Sequence, residues 1–497
     1  MKKRAAGGIA SVSLFLFLLN LLAGLLFINE GLFHHDSVLL AKAVEDTYAT
    51  GHLHPAARGR YGSVAVNCVL HAPFFLLGHN ADFTTRFSSV FFHSLSAVML
   101  AVLIYALLGT VPGALFGGLL LSFTPFYFSP NTWGKEHGLF IFSVLLSFYL
   151  LHRGTEKDNG LWLGLSGMTM AFSVSVRESA LVILPLYFLF YLSPRIAIRP
   201  PEISIRKERL GAGPLLRLIL PMTAILAVIY FTYLRAEFYR EMVLRDNTSA
   251  IFLGPLSPML RIAIKDLGTC IPPVLFLFFV LGIVRLFSRE DVFLPLFLIL
   301  WAALIFYFGN IETFTLRYLD IVIIPVYIGV AYYMSELRVK ERLAADAIMA
   351  YFVISMFVMM HPMLEFRHSY NGEKRYALFV RDNTPADAVI ITMDDSAFIE
   401  YYAGRKTVTH PIDDIRKTAD FVKEMKGYLA KGVPLYMTGS ALSYDHKKIF
   451  SRIFDANFYV HLVGSRLSED YHRPEIRFFR YKQGLFKVTP KRALDIP

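Results

Sequence analysis

Apolar residues in this chain come in long runs separated by short polar loops, and that spacing predicts a bundle of membrane-spanning helices. The runs cover approximately 8–28, 86–108, 111–128, 138–152, 160–176, 179–193, 213–234, 271–287, 293–309, 318–335 and 343–362, about eleven in all. A perpendicular span needs roughly 20 residues. Several runs are shorter, so their boundaries are soft. Residues 62–79 are also apolar, but Asn67, His71 and Pro73 interrupt them, which suits an interfacial or re-entrant helix. Just before that stretch, Leu39, Leu40, Ala43, Val44, Thr47 and Tyr48 recur at helical spacing. Lys42, Glu45 and Asp46 fall on the opposite face, so this segment reads as an amphipathic helix lying on the membrane surface.

From about residue 363 the pattern changes. Charged residues become frequent, and short strand-like runs appear at 389–392, 434–437 and 458–462. Helical patterns at 412–430 and 441–454 lie between them. Strand alternating with helix predicts a small soluble α/β domain. The domain plan is therefore 1–362 in the membrane, with an outer loop over 29–85, and 363–497 as a soluble domain.

Lys and Arg in the short loops set the orientation. With the N-terminus inside, the inner loops hold Lys2, Lys3 and Arg4, then Arg153 and Lys157, the run from Arg195 to Arg209, Arg285 and Arg289, and Arg338, Lys340 and Arg342. The outer side then holds 29–85, 235–270 and the tail. The first run is long for a secretory signal and no convincing cleavage site follows, so an uncleaved first helix is expected.

Composition fits this plan. The 497 residues are 55% hydrophobic and 18% charged, with 44 Phe and 26 Tyr. Soluble proteins carry about 25% charged residues. The formal charge of +11 raises nucleic acid as a partner, but many of the cations sit in short loops between apolar runs, and that reading is rejected. The two cysteines, Cys68 and Cys270, form no zinc pattern and read as buried free thiols.

The chemistry concentrates at the outer interface. Asp36 follows His34 and His35 just after the first run, at the start of the surface helix. Carboxylates beside a membrane domain are expensive to place and commonly functional. Asp36 is the candidate general base, and a simple helix cap is the bland alternative. Glu45 and Asp46 suit a solvated face; together with His35 and Glu136 they are also weaker candidates on the acceptor side. Four cations head inward-running spans: Arg86, Lys135, Arg177 and Arg317, the last followed by Tyr318. Helix N-termini together with Arg or Lys favour phosphate. Singly, each of these cations reads as a snorkelling side chain. Glu136 and His137 form a weak metal pair, and Asp394-Asp395 after a strand reads as an ordinary cap.

In order along the chain, these features resemble the GT-C superfamily of polyprenyl-phosphate-sugar glycosyltransferases, closest to its aminoarabinose-transferase and protein O-mannosyltransferase branch. His35-Asp36 is similar to the catalytic aspartate segment. The stretch from Pro73-Phe74-Phe75-Leu76-Leu77 to Arg86-Phe87 is similar to the surface-helix and second-span segment, and Arg317-Tyr318-Leu319 with Pro325 to a late-span motif. Two positions depart from the branch: Ser37 follows Asp36 where an acidic residue is common, and Arg177-Glu178 stands where Lys with a small residue is common. The resemblance covers residues 1–362 loosely.

It implies a polytopic α-helical membrane enzyme with a C-terminal α/β domain outside the cytoplasm. Such an enzyme moves a sugar from a polyprenyl-phosphate-linked donor to a protein, lipid or glycan acceptor, in contact with membrane lipids and without nucleic acid. Asp36 would act as base in an inverting displacement. Arg317, with Lys135 or Arg177, would hold the lipid phosphate, with Arg86 and Tyr318 nearby. No cofactor is required by that chemistry, and a divalent metal is not indicated. The rivals are a flippase for lipid-linked sugars and a non-catalytic envelope scaffold. No internal repeat supports the first.

Overall fold

The computed structural model describes residues 2–56, 60–193, 196–199, 202–205, 212–229, 231, 257–288, 292–310, 316–411, 414–442, 445, 447–472 and 477–491. Much of the basic loop 194–212, the outer segment 235–256 and the end of the run at 213–234 lie outside the described residues.

The chain divides into two compact units. The first comprises Met1–Ile28, Ala43–Glu365 and Arg473–Ile476; the second comprises Asn29–Lys42, Phe366–His472 and Arg477–Pro497.

The first unit is helical. Its elements are α1 (Lys2–Leu26), α2 (His35–Thr50, from Ala43 onward), α3 (Tyr61–Leu76), α4 (Ala81–Leu108), α5 (Val111–Ser122), α6 (Pro125–Thr132), α7 (His137–Glu156), α8 (Gly160–Val176) and α9 (Leu184–Leu192). After a two-stranded hairpin, β1 (Ile196–Arg199) and β2 (Glu202–Ile205), come α10 (Ala212–Ile229), α11 (Pro258–Cys270), α12 (Val274–Phe287), α13 (Phe293–Ala302), α14 (Ile305–Phe308), α15 (Ile323–Lys340) and α16 (Arg342–Ser369, to Glu365).

Helices among the described residues overlap the predicted runs, but few of them are simple spans. Among the described residues, four helices are long and apolar enough to cross a membrane: Gly7–Leu26, Ala81–Leu108, His137–Glu156 and the one that starts at Arg342. Two bent pairs raise the number to six, α5 with α6 at 61° and α11 with α12 at 99°. The reason for the α5–α6 break is local. Pro125 supplies no N–H to continue the ladder. Thr124 turns its hydroxyl to the Leu120 carbonyl (2.8 Å) and meets the Tyr327 hydroxyl at 2.6 Å. Asn20 of α1 donates to Ser122 Oγ at 2.8 Å, tying the first helix to the same break.

The second unit holds a five-stranded sheet in the order β4-β3-β5-β7-β6, with β3 (Val389–Ile391), β4 (Lys406–Val408), β5 (Leu435–Thr438), β6 (Phe458–His472) and β7 (Arg477–Pro490). The first three strands pair in parallel, and β5–β7 and β7–β6 are antiparallel. The helices are α17 (Gly372–Asp382), α18 (Ile415–Ala430) and α19 (Ile449–Asn457). Asp414 caps α18 by accepting from Lys417 N at 3.0 Å. Phe421 and Met425 of α18 pack with Ile391, Met437, Phe450 and Val488 as the core. The helix expected at 441–454 begins later, at Ile449, after a short 3-10 turn over Gly439–Leu442. The strand expected at 458–462 continues to His472.

Candidate functional site

In the first unit, four breaks between helices deliver charged side chains into one buried cluster. The turn from α6 to α7 uses Gly134 at φ 93°, a conformation that favours glycine, and so places Lys135-Glu136 immediately before His137. Asn131 Oδ1 accepts from Gly138 N at 2.9 Å and satisfies an otherwise orphaned donor of α7. At the break between α8 and the 3-10 turn Glu178–Ile183, Arg177 is extended (φ −156°, ψ 127°), which points Arg177 and Glu178 apart from the helix ladder. Arg60 arrives from the loop before α3. Arg317, Tyr318 and Asp320 come from the 3-10 turn Leu316–Leu319 and the residues after it.

The contacts close a chain. Arg60 pairs with Glu136 through Nη1, and its Nε and Nη2 each lie 3.4 Å from a Glu178 carboxylate oxygen. Arg177 Nη1 donates to His137 Nε2 at 2.6 Å. The same Nη1 lies 3.0 Å from His137 Nδ1, which in turn meets Asp320 Oδ2 at 2.5 Å. Asp320 Oδ1 accepts from Ile321 N at 2.7 Å. The Arg177 guanidinium lies 5.1 Å from the Tyr318 ring centre and 5.8 Å from that of Phe140; Arg317 lies 5.7 Å from Tyr318. Arg317, Lys135 and Arg60 are all within electrostatic range of His137. Lys135 is 1% exposed, Asp320 2%, Arg177 5% and Arg60 6%. Four cations thus face three carboxylates, Glu136, Glu178 and Asp320, with the His137 imidazole between them. A buried cluster with an excess of positive charge is suited to an anion.

Of the expected residues, Lys135, Glu136, His137, Arg177, Arg317 and Tyr318 come together here. Arg86 does not open its helix as expected: α4 begins at Ala81, and Arg86 Nε hydrogen-bonds Asp82 Oδ1 at 2.6 Å one turn in. Glu45 accepts from Ala81 N at 2.8 Å and so caps α4. Asp46 is half-buried on α2. Glu136 is engaged by Arg60 and His137 by Asp320 and Arg177, and among the described residues no three His, Cys, Asp or Glu side chains converge on a metal position.

Asp36 belongs to the second unit. It occupies the first turn of α2, next to His35, and its amide donates to His34 Nδ1 at 3.2 Å. Its carboxylate lies 3.8 Å from that nitrogen and is a quarter exposed.

Sequence reasoning missed Arg60, Glu178 as its partner, and Asp320. Asp320 carried a usable signal, a lone carboxylate in an otherwise apolar run. Arg60 carried none, because a charged residue in a polar loop reads as solvated.

The geometry can be set beside known proteins. Residues 69–205, rather more than a quarter of the chain, match the family model of dolichyl-phosphate-mannose-protein mannosyltransferases. Among solved structures, the chain is similar to ArnT from Cupriavidus metallidurans bound to undecaprenyl phosphate, at 10% identity and TM-score 0.58, covering 96% of this chain and 97% of that one. It is similar to the Archaeoglobus fulgidus oligosaccharyltransferase in complex with zinc and sulfate, at 11% identity and TM-score 0.59, covering 94% of this chain and 72% of that one. A third likeness is to AglB of the same organism in complex with an inhibitory peptide and a dolichol-phosphate, at 11% identity and TM-score 0.56, covering 98% and 75%. No curated protein sequence matches significantly. At these identities the likeness shows the fold alone, one shared with ArnT and the archaeal oligosaccharyltransferase.

Proposed function

We propose that this chain is an integral membrane glycosyltransferase that moves a sugar from a polyprenyl-phosphate donor to an acceptor on the outer side of the cytoplasmic membrane. The observation that carries this reading is the net-positive cluster of the buried Arg60, Lys135 and Arg177 with the half-buried Arg317, built from helix breaks. It suits the phosphate of a lipid-linked sugar, and the relatives of this fold are described with undecaprenyl phosphate and dolichol-phosphate.

The reaction needs one displacement. Asp36 takes the proton of an acceptor hydroxyl or amine. The acceptor heteroatom forms a bond to C1 of the sugar as the bond from C1 to the phosphate oxygen breaks, inverting the anomeric centre. The electron pair leaves on the lipid phosphate, where Arg317, with Lys135 and Arg177, neutralises it. Preorganised donors of this kind supply several kcal/mol in other enzymes, roughly 3–4 per donor where one has been removed. Arg60 acts on Glu136 and Glu178, keeping both carboxylates from quenching the cations. In this reading the N-terminus faces the cytoplasm and the domain from residue 363 faces outward.

The test is sugar transfer by purified protein reconstituted with a radiolabelled polyprenyl-phosphate sugar. Asp36→Asn keeps a capping oxygen and nearly the same shape, so the fold stands while turnover falls about 10²–10⁴-fold. Wild-type turnover in that variant excludes Asp36 as the base. No transfer by the wild-type protein to any supplied protein, lipid or glycan acceptor, with the donor merely moved between leaflets, would favour a flippase.

A further inference from the structure

The segment that carries Asp36 is packed as part of the C-terminal unit. Residues Asn29–Lys42 group with Phe366–His472, across more than 300 residues of sequence. The contacts explain why. Glu30 sits on the N-terminus of α17, where its carboxylate accepts from Asn371 N at 2.9 Å and pairs with Arg375 at 3.2 Å. A carboxylate there is favoured by the helix dipole as well as by the unsatisfied amides. The Glu30 carbonyl accepts from Lys374 Nζ at 2.9 Å, and its amide donates to the Arg367 carbonyl at 3.0 Å.

Two residues on, Leu32 is held at both backbone groups. Its amide donates to the Tyr402 hydroxyl at 3.0 Å, and its carbonyl accepts from Asn371 Nδ2 at 2.9 Å. The Arg367 guanidinium covers the Phe33 ring at 3.9 Å. Gly31 sits close against the same residues: a Cβ there would come within 2.7 Å of Lys374 Cδ and 3.0 Å of the Tyr402 hydroxyl. On the far side of Asp36, Lys42 Nζ meets Glu400 Oε2 at 2.5 Å, while Glu400 Oε1 accepts from Thr407 at 2.6 Å. Asp36 therefore stands between two anchors, Glu30–Leu32 before it and Lys42 after it, and both anchors end on residues 367–407.

We infer that the C-terminal domain is a positioning element for the transfer reaction: residues Asn371, Arg375, Glu400 and Tyr402 clamp the segment 29–42 and fix where the Asp36 carboxylate stands. The inference rests on the reading of Asp36 as the base. It gives the soluble domain a task in the chemistry itself, separate from binding an acceptor. A base must lie within hydrogen-bond reach of the proton it removes, and a misplacement of about 1 Å can reduce turnover by 10²-fold. A loop tied only to a lipid surface does not meet that tolerance, whereas one fastened at both ends to a sheet domain does.

The test uses the full-length protein in lipid nanodiscs with the lipid-linked donor. Lys42→Glu and Glu400→Lys each put like charges at one anchor, and the double exchange restores an opposite pair. Each single variant is expected to lower kcat about ten-fold with little change in the KM for donor, because the donor phosphate is not touched. Hydrogen exchange of the amides over 29–42 rises in the same two variants. The double exchange recovers both readouts, and Lys42→Arg never loses them. Tyr402→Phe, which deletes one hydroxyl, is the variant least able to disturb folding and gives the same split at smaller size.

Exchange that stays at the wild-type level in the singles overturns the clamp. Exchange that rises while kcat does not fall overturns the positioning role, as does a fall in kcat that the double exchange fails to repair. Hydrogen exchange reads the clamp without reference to catalysis, and Asp36→Asn reads the base without reference to the clamp. The two ideas therefore fail separately.

Discussion

The two units each bury a cluster of ionisable side chains, and they settle its charge in opposite ways. In the first unit the carboxylates of Glu136, Glu178 and Asp320 are met by cations and by His137. In the second, the carboxyls of Glu373 and Asp395 hydrogen-bond each other, and their other partners are neutral: Tyr481, Gln483 at 3.4 Å and Ser440. Burial together with the Glu373 carboxyl pushes Asp395 up to about 8, so the pair retains a proton. Burial, then the same carboxyl, raises the Tyr481 phenol. The two buried acids of the second unit share a proton, while the acids of the first unit lie among Arg and Lys side chains that favour the charged form. The acid pair fastens α17 to β7; the cation-rich cluster is the one proposed above to hold a lipid phosphate.

Breaking the cation side of the first cluster is expected to have the largest effect. Arg60→Met takes the guanidinium away from the buried Glu136 and the half-buried Glu178, which costs about 3–5 kcal/mol of stability. Arg60→Met combined with Glu136→Gln should regain part of that loss in a thermal melt, because the buried partner charge of Arg60 is removed as well. If the single variant melts like wild type, Arg60 is not holding the cluster together.

Within the same cluster, Arg317→Ala should reduce donor use more than Arg317→Lys. Lysine keeps the charge but lacks the planar fork that matches a phosphate. Transfer rates against donor concentration decide it: three overlapping curves would remove Arg317 from the phosphate site and leave Lys135 and Arg177 to be tested next.

Much of this architecture was legible from the chain, and what was not has a physical cause. The apolar runs fall on helices because transfer out of water depends only on local composition. Their continuity is not legible that way: the α5–α6 break depends on Thr124 finding Tyr327, a partner 203 residues distant. Lys135, His137, Arg177 and Arg317 were legible as polar residues beside spans. Arg60 was not, since its burial follows from Glu136 and Glu178, 76 and 118 residues later. The grouping of 29–42 with the C-terminal unit was equally hidden, because Glu30 and Lys42 look like ordinary surface charges until Arg375 and Glu400 are placed.

The acid pair of the second unit predicts a pH dependence with a definite sign. Asp395 in the folded chain keeps a proton that an unfolded chain releases near 3.8. The folded state therefore binds more protons between that value and about 8, and stability falls as pH rises through this window and levels off above it. Each unit of such a shift corresponds to about 1.4 kcal/mol. Asp395→Asn keeps a polar partner for Glu373 and removes the titration, so it should raise the melting temperature at pH 8 relative to wild type and have little effect at pH 4.5. A variant that melts lower than wild type at pH 8 would show that the Asp395 carboxyl is needed in ionised form.

The smallest effect is expected where the same chemistry meets water. Arg153 and Glu156, one turn apart near the end of α7, pair at 2.8 Å with side chains 35% and 53% exposed. The distance is an ordinary hydrogen-bond length, so by geometry alone the pair would count as an ion pair like Arg60 and Glu136. Solvent screening and the entropy of holding two long side chains reverse that ranking, and exposed pairs contribute about 0.2–1 kcal/mol. A double-mutant cycle with Arg153→Gln and Glu156→Gln should return a coupling at the bottom of that range, shrinking further at high salt. The same cycle on Arg60 and Glu136 should return several times more, with little salt dependence, because those side chains are 7% and 3% exposed. Equal couplings in the two cycles would mean that burial is not what separates a structural charge cluster from a surface ion pair in this protein.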